Sequence, residues 1–280
     1  MVEYRKYPYA ESDILRRIEQ YKKMDLQTMT EQEAYRFILS VIDLTTLEGS
    51  DNAKKINDLC ATAIHFKDNE KNIPSTASVC VYPPFVHQAN TLLKNTDILV
   101  ASVAGGFPAG QTPIEIKLAE VKYAVESGAD EIDMVISRGK FLEGNYQEVF
   151  DEIAAIKNVC GAARLKVILE TGELQSADNI YAASWIAMCA GADFIKTSTG
   201  KFSVNATPEF FLIMLDAIKN YYKETGKMTG MKPAGGISDP DTALLYVKIL
   251  ENVLGKNWLN KKYFRIGASR LAQKIAEKIK

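Results

Sequence analysis

Two stretches of the sequence, GADEIDMVIS at residues 128–137 and GADFIKTSTG at residues 191–200, follow one pattern and decide the fold class. Each begins with Gly-Ala-Asp and continues into an apolar run of the kind that forms a strand. The offset between them is 63 residues (from 128 to 191), about the length of two strand–helix units. We therefore expect Asp133 and Lys196 to occupy equivalent positions on two strands that have one strand between them.

The same unit recurs along most of the chain as a short apolar run, then Gly, Pro, Ser or Thr, then a segment of helical period. The eight predicted strands are 41–45, 78–82, 98–103, 131–136, 165–170, 194–198, 230–233 and 264–267. Strands that alternate with helices are typical of a parallel sheet. Eight such units favour an α/β protein with a closed (β/α)8 TIM barrel over an open doubly wound sheet.

The N-terminal residues lie outside this pattern. Ile14, Ile18 and Tyr21 have helical spacing, so residues 1–35 are predicted to form an extra helical segment next to the barrel. No linker rich in Pro, Gly or Ser divides the chain, and 280 residues is an ordinary length for one barrel. We predict a single domain over residues 1–280.

Two helices have recognisable starts, because Thr112 and Thr207 are each followed by proline. This predicts an N-cap residue and a first helical residue at both places. The apolar stripes expected on these helices are Ile114, Leu118, Val121 and Val125, and Phe211, Leu215, Ile218 and Tyr222. Gly128 is the expected end of the first helix.

The composition excludes several functional classes. Hydrophobic residues make up 47% of the chain and charged residues 25%, which argues against disorder, and a net charge of -1 gives no reason to expect nucleic acid or an anionic membrane as a partner. No apolar run has the length of a membrane span, and the first residues do not have the pattern of a signal peptide. Four cysteines without Cys-x-x-Cys spacing predict free thiols, no metal site and a cytoplasmic location.

Charged residues interrupt several predicted strands. They are Asp43, Asp133, Lys166, Glu170, Lys196 and Lys232. Because an isolated buried charge costs several kcal/mol, each of them needs a partner or a function. One interpretation is a structural ion-pair cluster, and the other is an active site at the C-terminal strand ends, where TIM barrels have theirs. We favour the active site, although the early position of Lys166 in its strand favours a structural role for that residue.

Two lysines within one barrel have a known chemical use. Barrel layers draw side chains from alternate strands, so Asp133 and Lys196 should share a layer, and Lys232 comes from the neighbouring strand. An ordinary lysine, with a pKa of about 10.4, is unreactive at neutral pH, but burial and a nearby cation both lower its pKa. The freed amine can attack a carbonyl carbon. We predict that Lys196 is the nucleophile and that Lys232 activates it.

Segments that contain glycine follow the last three predicted strands. Loops after strands seven and eight form the recurrent phosphate site of TIM barrels, where backbone N–H groups can surround an anion. The predicted phosphate-binding residues are Thr199, Gly200, Lys201, Gly235, Gly236, Gly267 and Ser269.

At these residues the sequence resembles the class I deoxyribose-phosphate aldolases, in particular their eukaryotic-type branch. The matching stretches are DLTTL (43–47), VCVYP (79–83), AGGFP (104–108), EID (131–133), LKVILETGE (165–173), DFIKTSTGK (193–201), KPAGG (232–236) and RIGAS (265–269). They cover nearly the whole predicted barrel in order. The motifs KTSTGK and KPAGG are highly specific to that family.

The resemblance implies reversible cleavage of 2-deoxy-D-ribose 5-phosphate to D-glyceraldehyde 3-phosphate and acetaldehyde. It implies that Lys196 forms the Schiff base, that Lys232 lowers its pKa and acts with Asp133 in proton transfer, and that Asp43 orients Lys232. It implies no metal and no organic cofactor, because the protonated imine is the electron sink. The implied partner is a small phosphorylated sugar, and a homodimer is the working hypothesis for assembly.

The sequence also departs from the family pattern. Ser238 stands where the family often has arginine and Arg270 where it often has Ser or Thr, so the cation of the phosphate site is expected to have moved to the next loop. The chain ends at Lys280 without the tyrosine that assists proton transfer in some members, which predicts an altered turnover rate. The alternative functions are a phosphosugar isomerase or epimerase without an imine, and a degenerate barrel that only binds. The intact set of Lys196, Lys232 and Asp133 argues against the last of these.

Overall fold

The computed structural model describes residues 3–68 and 73–280, which contain eight parallel strands in the order β7-β6-β5-β4-β3-β2-β1-β8. The strands are β1 (Ile42–Thr45), β2 (Ser78–Val81), β3 (Leu99–Ala104), β4 (Glu131–Val135), β5 (Arg164–Ile168), β6 (Phe194–Lys196), β7 (Gly230–Lys232) and β8 (Ile266–Ala268). Two parallel bridges, from Met231 to Phe264 and from Ala234 to Gly267, join the ends of the sheet. The predicted TIM barrel is confirmed.

Helices surround the barrel and cover its outer face. They are α1 (Glu11–Lys23), α2 (Glu31–Ser40), α3 (Ala53–His65), α4 (Val86–Leu93), α5 (Ile114–Glu126), α6 (Arg138–Leu142), α7 (Tyr146–Cys160), α8 (Ala177–Cys189), α9 (Pro208–Thr225), α10 (Pro240–Leu254) and α11 (Leu271–Ala276). Short 3₁₀ helices lie at Pro83–Phe85, Thr171–Glu173 and Lys256–Trp258. None of the helices in the described part of the chain combines the length and apolar character needed to cross a membrane.

The N-terminal segment packs on one side of the barrel. In α1, Ile14 and Ile18 are buried against the outer core, as their spacing predicts, and the helix lies against α9 and α10. The residues before α1 extend over α8, where the Tyr4 hydroxyl donates to Asn179 and the Arg5 guanidinium lies 3.7 Å from the centre of the Trp185 ring. An extra N-terminal helical segment is therefore present. The single-domain interpretation, with its extension over residues 1–35, stays a prediction.

Some predicted boundaries are wrong by a few residues. Helix α5 begins at Ile114 with Pro113 as its N-cap residue, so Thr112 is not the cap. In α9, Tyr222 is 41% exposed, and the neighbouring Tyr221 is buried instead, because its hydroxyl donates to the Met188 carbonyl on α8. Strand β5 ends at Ile168, which leaves Glu170 outside the strand in a left-handed conformation (φ 55°). These differences arise from tertiary contacts that helical and strand periodicity do not encode.

The strand register decides which side chains meet inside the barrel. Residues paired across parallel strands point to the same face of the sheet. Lys196 on β6 is paired with Lys232 on β7. On the two strands next to them, Asp133 on β4 is paired with Lys166 on β5. The barrel interior therefore receives charged groups from four neighbouring strands, β4 to β7.

Candidate active site

Seven charged side chains meet inside the barrel, and we call them the ionic cluster. Six come from five strands, and the seventh belongs to the residue just before β8. The members of the cluster are Asp43, Glu131, Asp133, Lys166, Lys196, Lys232 and Arg265. None of the seven residues is more than 3% exposed. Charges at this depth are tolerated only when they are paired and hydrogen-bonded.

The upper part of the cluster brings together the four predicted catalytic residues. One oxygen of Asp133, Oδ2, lies 2.7 Å from the Lys196 Nζ and 2.7 Å from the Lys232 Nζ. The Lys232 ammonium also lies 2.5 Å from Asp43 Oδ2. The sequence offset of Asp133 and Lys196 thus corresponds to a direct contact. One carboxylate oxygen is shared by two amines, and the second amine is held by a further carboxylate.

The lower part of the cluster closes the barrel beneath these residues. The Lys166 Nζ lies 2.6 Å from Glu131 Oε2 and 3.0 Å from Asp133 Oδ1. Arg265 donates to Asp43 at 2.7 Å and to both Glu131 oxygens at 2.8 and 3.0 Å. Every carboxylate in the cluster therefore has at least two cationic partners.

These contacts shift the pKa values of the two lysines in opposite directions. Burial lowers the pKa of Lys196, the Asp133 carboxylate opposes that shift, and the nearby Lys232 ammonium adds to it, so the pKa lies below its ordinary value. Burial also acts to lower the pKa of Lys232, but the carboxylates of Asp133 and Asp43 outweigh it and raise the pKa. Lys196 is thus the amine that is more easily neutral, and Lys232 stays charged.

The two aspartates remain ionised in this environment. Burial alone would raise the pKa of Asp133, but the ammonium groups of Lys166, Lys196 and Lys232 hold it well below the usual range. Burial likewise acts to raise the pKa of Asp43, but the Lys232 and Arg265 cations outweigh it and lower the pKa. Both carboxylates can therefore accept a proton only transiently.

A cavity of about 920 Å³ opens at the C-terminal ends of the strands. Of the seven residues in the ionic cluster, Lys196 alone lines this cavity. The other lining residues come mainly from the loop after β1, with Leu47 and Glu48, and from the loops after β6, β7 and β8. The amine with the lowered pKa is therefore the one that a bound molecule can reach.

Three segments at the mouth of the cavity, which we call the rim loops, are residues 199–201, 235–238 and 267–270, the last of which begins within β8. All seven predicted phosphate-binding residues line the cavity: Thr199, Gly200, Lys201, Gly235, Gly236, Gly267 and Ser269. Both Gly235 and Gly236 have positive φ angles, of 81° and 77°, which favour glycine. Gly267 has a different reason, because a Cβ atom there would lie 2.8 Å from the Ala234 side chain.

The rim loops also carry the two departures from the family pattern. Ser238 and Arg270 both line the cavity and are exposed, so a cation is present on the loop after β8 and absent at position 238. The other cation of the rim loops, Lys201, forms an ion pair with Glu48 across the mouth at 3.0 Å. Glu48 was not among the predicted site residues.

A comparison with known protein families bears on what this site does. The sequence profile of the DeoC/LacD family aldolases matches residues 37–248. The chain belongs to this aldolase family. The match begins before β1 and ends within α10, so it includes all of the ionic cluster except Arg265.

Individual relatives agree with that assignment. This DeoC/LacD aldolase is 44% identical to the human protein named deoxyribose-phosphate aldolase over 278 residues, which cover 95% of this chain and 87% of the human one. It is 45% identical to the bovine protein of the same name, and the match again covers 95% of this chain and 87% of the relative. Among solved structures, the tetrameric deoxyribose phosphate aldolase of Aeropyrum pernix is 25% identical and has a TM-score of 0.69. The match covers 96% of this chain and 98% of that one.

Three cluster residues of this aldolase were not predicted as site residues: Lys166, for which the sequence favoured a structural role, and Glu131 and Arg265, which were not singled out. A sequence signal existed for Glu131, because it lies two residues before Asp133 and a strand has a period of two. Arg265 lies two residues before Gly267 and follows the same rule. In the described ranges, 3–68 and 73–280, no group of three or more His, Cys, Asp or Glu side chains is arranged to hold a metal ion.

Proposed function

We propose that this aldolase cleaves 2-deoxy-D-ribose 5-phosphate reversibly to D-glyceraldehyde 3-phosphate and acetaldehyde through an imine on Lys196. The names of the human and bovine relatives support the substrate. The observation that carries the proposal is the position of Lys196, which has a lowered pKa and lines the cavity while the other cluster residues lie beneath it.

The charge balance of the ionic cluster supports the same amine. Three carboxylates, those of Asp43, Glu131 and Asp133, face four basic groups. If Lys166, Lys232 and Arg265 are charged, the three carboxylates are neutralised and the buried cluster carries no net charge when Lys196 is neutral. Protonation of Lys196 would add an uncompensated charge in a region of low dielectric, which is costly. A neutral amine is the form that attacks an aldehyde.

The reaction follows from these groups. The neutral Lys196 amine adds to the aldehyde carbon C1 of the open-chain sugar, and loss of water leaves a protonated imine. Removal of the proton on the C3 hydroxyl then breaks the C2–C3 bond, which releases glyceraldehyde 3-phosphate, and the electron pair moves through C2 to the imine nitrogen to give an enamine. Protonation of C2 and hydrolysis release acetaldehyde and restore the amine.

The proton transfers are assigned to Asp133 and Lys232. The shared oxygen Asp133 Oδ2, at 2.7 Å from both Nζ atoms, gives a proton a short route between the two lysines, with a water molecule as the link to the substrate. Asp43 keeps the Lys232 ammonium in position through its 2.5 Å contact. Proton transfer by positioned groups of this kind contributes roughly 10²–10⁴-fold to rate.

The phosphate is assigned to the rim loops. Backbone N–H groups near Gly200, Gly235 and Gly236, with the Lys201 ammonium and the Ser269 hydroxyl, supply donors around one part of the cavity. Arg270 supplies a further cation on the adjoining loop. Phosphate held there would keep the sugar in one orientation, which brings its aldehyde end toward Lys196.

Cytoplasmic location and a homodimer belong to the same proposal. All four cysteines are free thiols, as expected in a reducing compartment. Light scattering coupled to size-exclusion chromatography would test the dimer against the tetramer named for the Aeropyrum pernix relative.

Product analysis tests the proposed reaction directly. The protein should convert 2-deoxyribose 5-phosphate to acetaldehyde, detected by reduction with alcohol dehydrogenase and NADH, and Lys196→Met should abolish the conversion. Formation of a ketose phosphate without acetaldehyde would instead support the isomerase alternative. Retained activity in Lys196→Met would contradict the imine.

A further inference from the structure

Glu170 is a buried charged residue of the predicted strands that does not join the ionic cluster. Its side chain is fully buried, and its backbone is left-handed, with φ 55° and ψ 61°. Among the residues that the structure describes, only Gln175 is another non-glycine residue with positive φ. This conformation is unfavourable for a residue with a Cβ atom, so it persists only where other contacts hold it.

The Glu170 carboxylate makes its contacts with the first rim loop. It accepts the Thr199 N–H at 3.2 and 3.3 Å and the Thr199 hydroxyl at 2.5 Å. Burial raises the pKa of Glu170, and the hydrogen bonds from Thr199 only partly offset that rise. A buried carboxylate with these donors binds the loop more strongly than a neutral acceptor would.

The contact with Thr199 determines how the rest of this loop is arranged. Because the Thr199 hydroxyl donates its proton to Glu170, its oxygen is left to accept a hydrogen bond, and it accepts the Lys201 N–H at 3.1 Å. Glu170, Thr199 and Lys201 thus form a directed chain of hydrogen bonds. The chain fixes residues 199–201, which line the cavity.

Arg138 holds Glu170 from the other side. Its guanidinium lies 3.4 Å from Glu170 and 2.7 Å from Glu173, donates to the Ala109 carbonyl at 3.0 Å and lies 4.7 Å from the centre of the Phe202 ring. It therefore ties together the loops after β3, β4, β5 and β6. Arg138 thus holds the Glu170 carboxylate to neighbouring loops, and the carboxylate in turn anchors Thr199 of the first rim loop.

We propose that Glu170 is a positioning residue that sets the preference of this aldolase for phosphorylated over unphosphorylated sugars. It acts through Thr199 and makes no contact with the ionic cluster in the structure. The inference rests on the proposed function, in particular on the assignment of residues 199–201 to the phosphate. Loss of the anchor affects the affinity for the phosphate and leaves the chemistry at Lys196 unchanged.

Glu170→Gln tests this role with little change in side-chain size. The glutamine amide oxygen can still accept the Thr199 hydroxyl in place of Oε2, but the negative charge is lost and an NH₂ group replaces Oε1, which accepts the Thr199 N–H. The rim loop is therefore held less strongly. We expect KM for 2-deoxyribose 5-phosphate to rise about tenfold or more, as for loss of a hydrogen bond to a charged group. The kcat/KM for unphosphorylated 2-deoxyribose and the rate at which borohydride traps acetaldehyde on the protein should stay close to wild type.

Glu173→Gln is the matched control. Glu173 also pairs with Arg138 but has no hydrogen bond to Thr199, and its side chain is 37% exposed. Its substitution should leave the preference for the phosphorylated sugar unchanged. An equal effect in both variants would overturn the specific role of Glu170, and so would an equal loss with both sugars in Glu170→Gln.

Glu170→Gly provides a second test if the glutamine variant does not fold. Glycine relieves the left-handed backbone and still removes the carboxylate, so this variant should lose the phosphate preference with an intact fold by circular dichroism. Retention of the wild-type preference in the folded glycine variant would refute the inference. If the wild type itself shows no preference for the phosphorylated sugar, the phosphate assignment in the proposed function is wrong, which is a separate result.

Discussion

The ionic cluster and the rim loops lie at two depths of the same barrel and use charge in different ways. In the cluster, seven charged residues are at most 3% exposed, and each carboxylate is shared by several cations. At the rim, the Lys201–Glu48 pair has a Glu48 side chain that is 62% exposed, and Ser269 and Arg270 are open to water. Under the proposed function, the reactivity of Lys196 is therefore set before substrate binds, whereas the affinity for substrate depends on groups that water and salt can reach.

Charged residues at the two depths should also differ in how much their removal lowers the free energy of unfolding. Removal of one partner from a buried ion pair typically costs 3–5 kcal/mol, whereas an exposed pair contributes about 0–1 kcal/mol. Acid should destabilise the buried cluster through Asp43 and Asp133. Because their pKa values are lowered in the folded state, their stabilising contribution is full above the unfolded-state pKa of about 3.9 and is lost progressively as the pH falls from there through the folded-state pKa values.

The largest effect is expected from Arg265→Leu. This change removes the buried guanidinium that pairs with Asp43 and Glu131, so two carboxylates lose a partner at once. The free energy of unfolding in urea should fall by about 3–5 kcal/mol. Arg164→Leu is the control, because Arg164 approaches the same Glu131 at 3.8 Å but is partly exposed, and it should cost less than about 1 kcal/mol. Equal losses would remove the distinction between the two depths.

Lys232→Leu should have the next largest effect, on the pKa of Lys196. Without Lys232 the repulsion is lost and Asp133 pairs more fully with Lys196, so the pKa of Lys196 rises. The neutral amine is the reactive form and is populated above its pKa, so each unit of rise removes about tenfold of it at neutral pH. Borohydride trapping of acetaldehyde should slow at pH 7 and recover at alkaline pH.

The same variant separates the two roles of Lys232. If it acts mainly by its charge, alkaline pH should restore turnover as well as trapping. If it acts mainly in proton transfer, turnover should stay low at every pH while trapping recovers. Lys201→Leu, at the rim, should leave the pH dependence of trapping unchanged. A wild-type trapping rate in Lys232→Leu at pH 7 would return Lys232 to a structural role.

Arg270→Ser tests whether the cation at the rim has moved to this loop. The exposed guanidinium lines the cavity near Ser269, and its loss should raise KM for the phosphorylated sugar by about tenfold, with kcat nearly unchanged. The effect should shrink at high salt, because exposed charges are screened. An unchanged KM would mean that Arg270 does not contribute to phosphate binding.

Glu48→Gln should have the smallest effect and the opposite sign. The Glu48 carboxylate holds the Lys201 ammonium at 3.0 Å and would compete with a phosphate for it. Without that competition KM for the phosphorylated sugar should fall, by no more than about fivefold because the pair is exposed. Steady-state kinetics at low salt would measure this decrease, and an increased KM would show that Glu48 assists binding.

The cluster was largely predictable from the sequence, and the rim was less so. The repeated Gly-Ala-Asp segments predicted that Asp133 and Lys196 share a barrel layer, and their contact of 2.7 Å agrees. Strand periodicity gives a definite answer there because it has a fixed period of two. The same rule applied to Glu131 and Arg265 would have completed the cluster.

The partners at the rim could not be predicted in this way. Glu48 and Lys201 are 153 residues apart in sequence and meet because the loops after β1 and β6 converge on one cavity. The position of Glu170 was also missed, since its left-handed backbone depends on contacts with Thr199 and Arg138 from other loops. Loop geometry of this kind follows from tertiary packing, which local patterns do not encode.

The central claim is that Lys196, and not Lys232 or Lys166, carries the imine. Borohydride reduction of the native protein with acetaldehyde, followed by peptide mass spectrometry, tests this directly. We predict one ethyl group per chain, on Lys196, because it is the only amine of the cluster that lines the cavity and its pKa is lowered. An ethyl group on Lys232 or Lys166, or no adduct on a protein that still releases acetaldehyde, would contradict the claim.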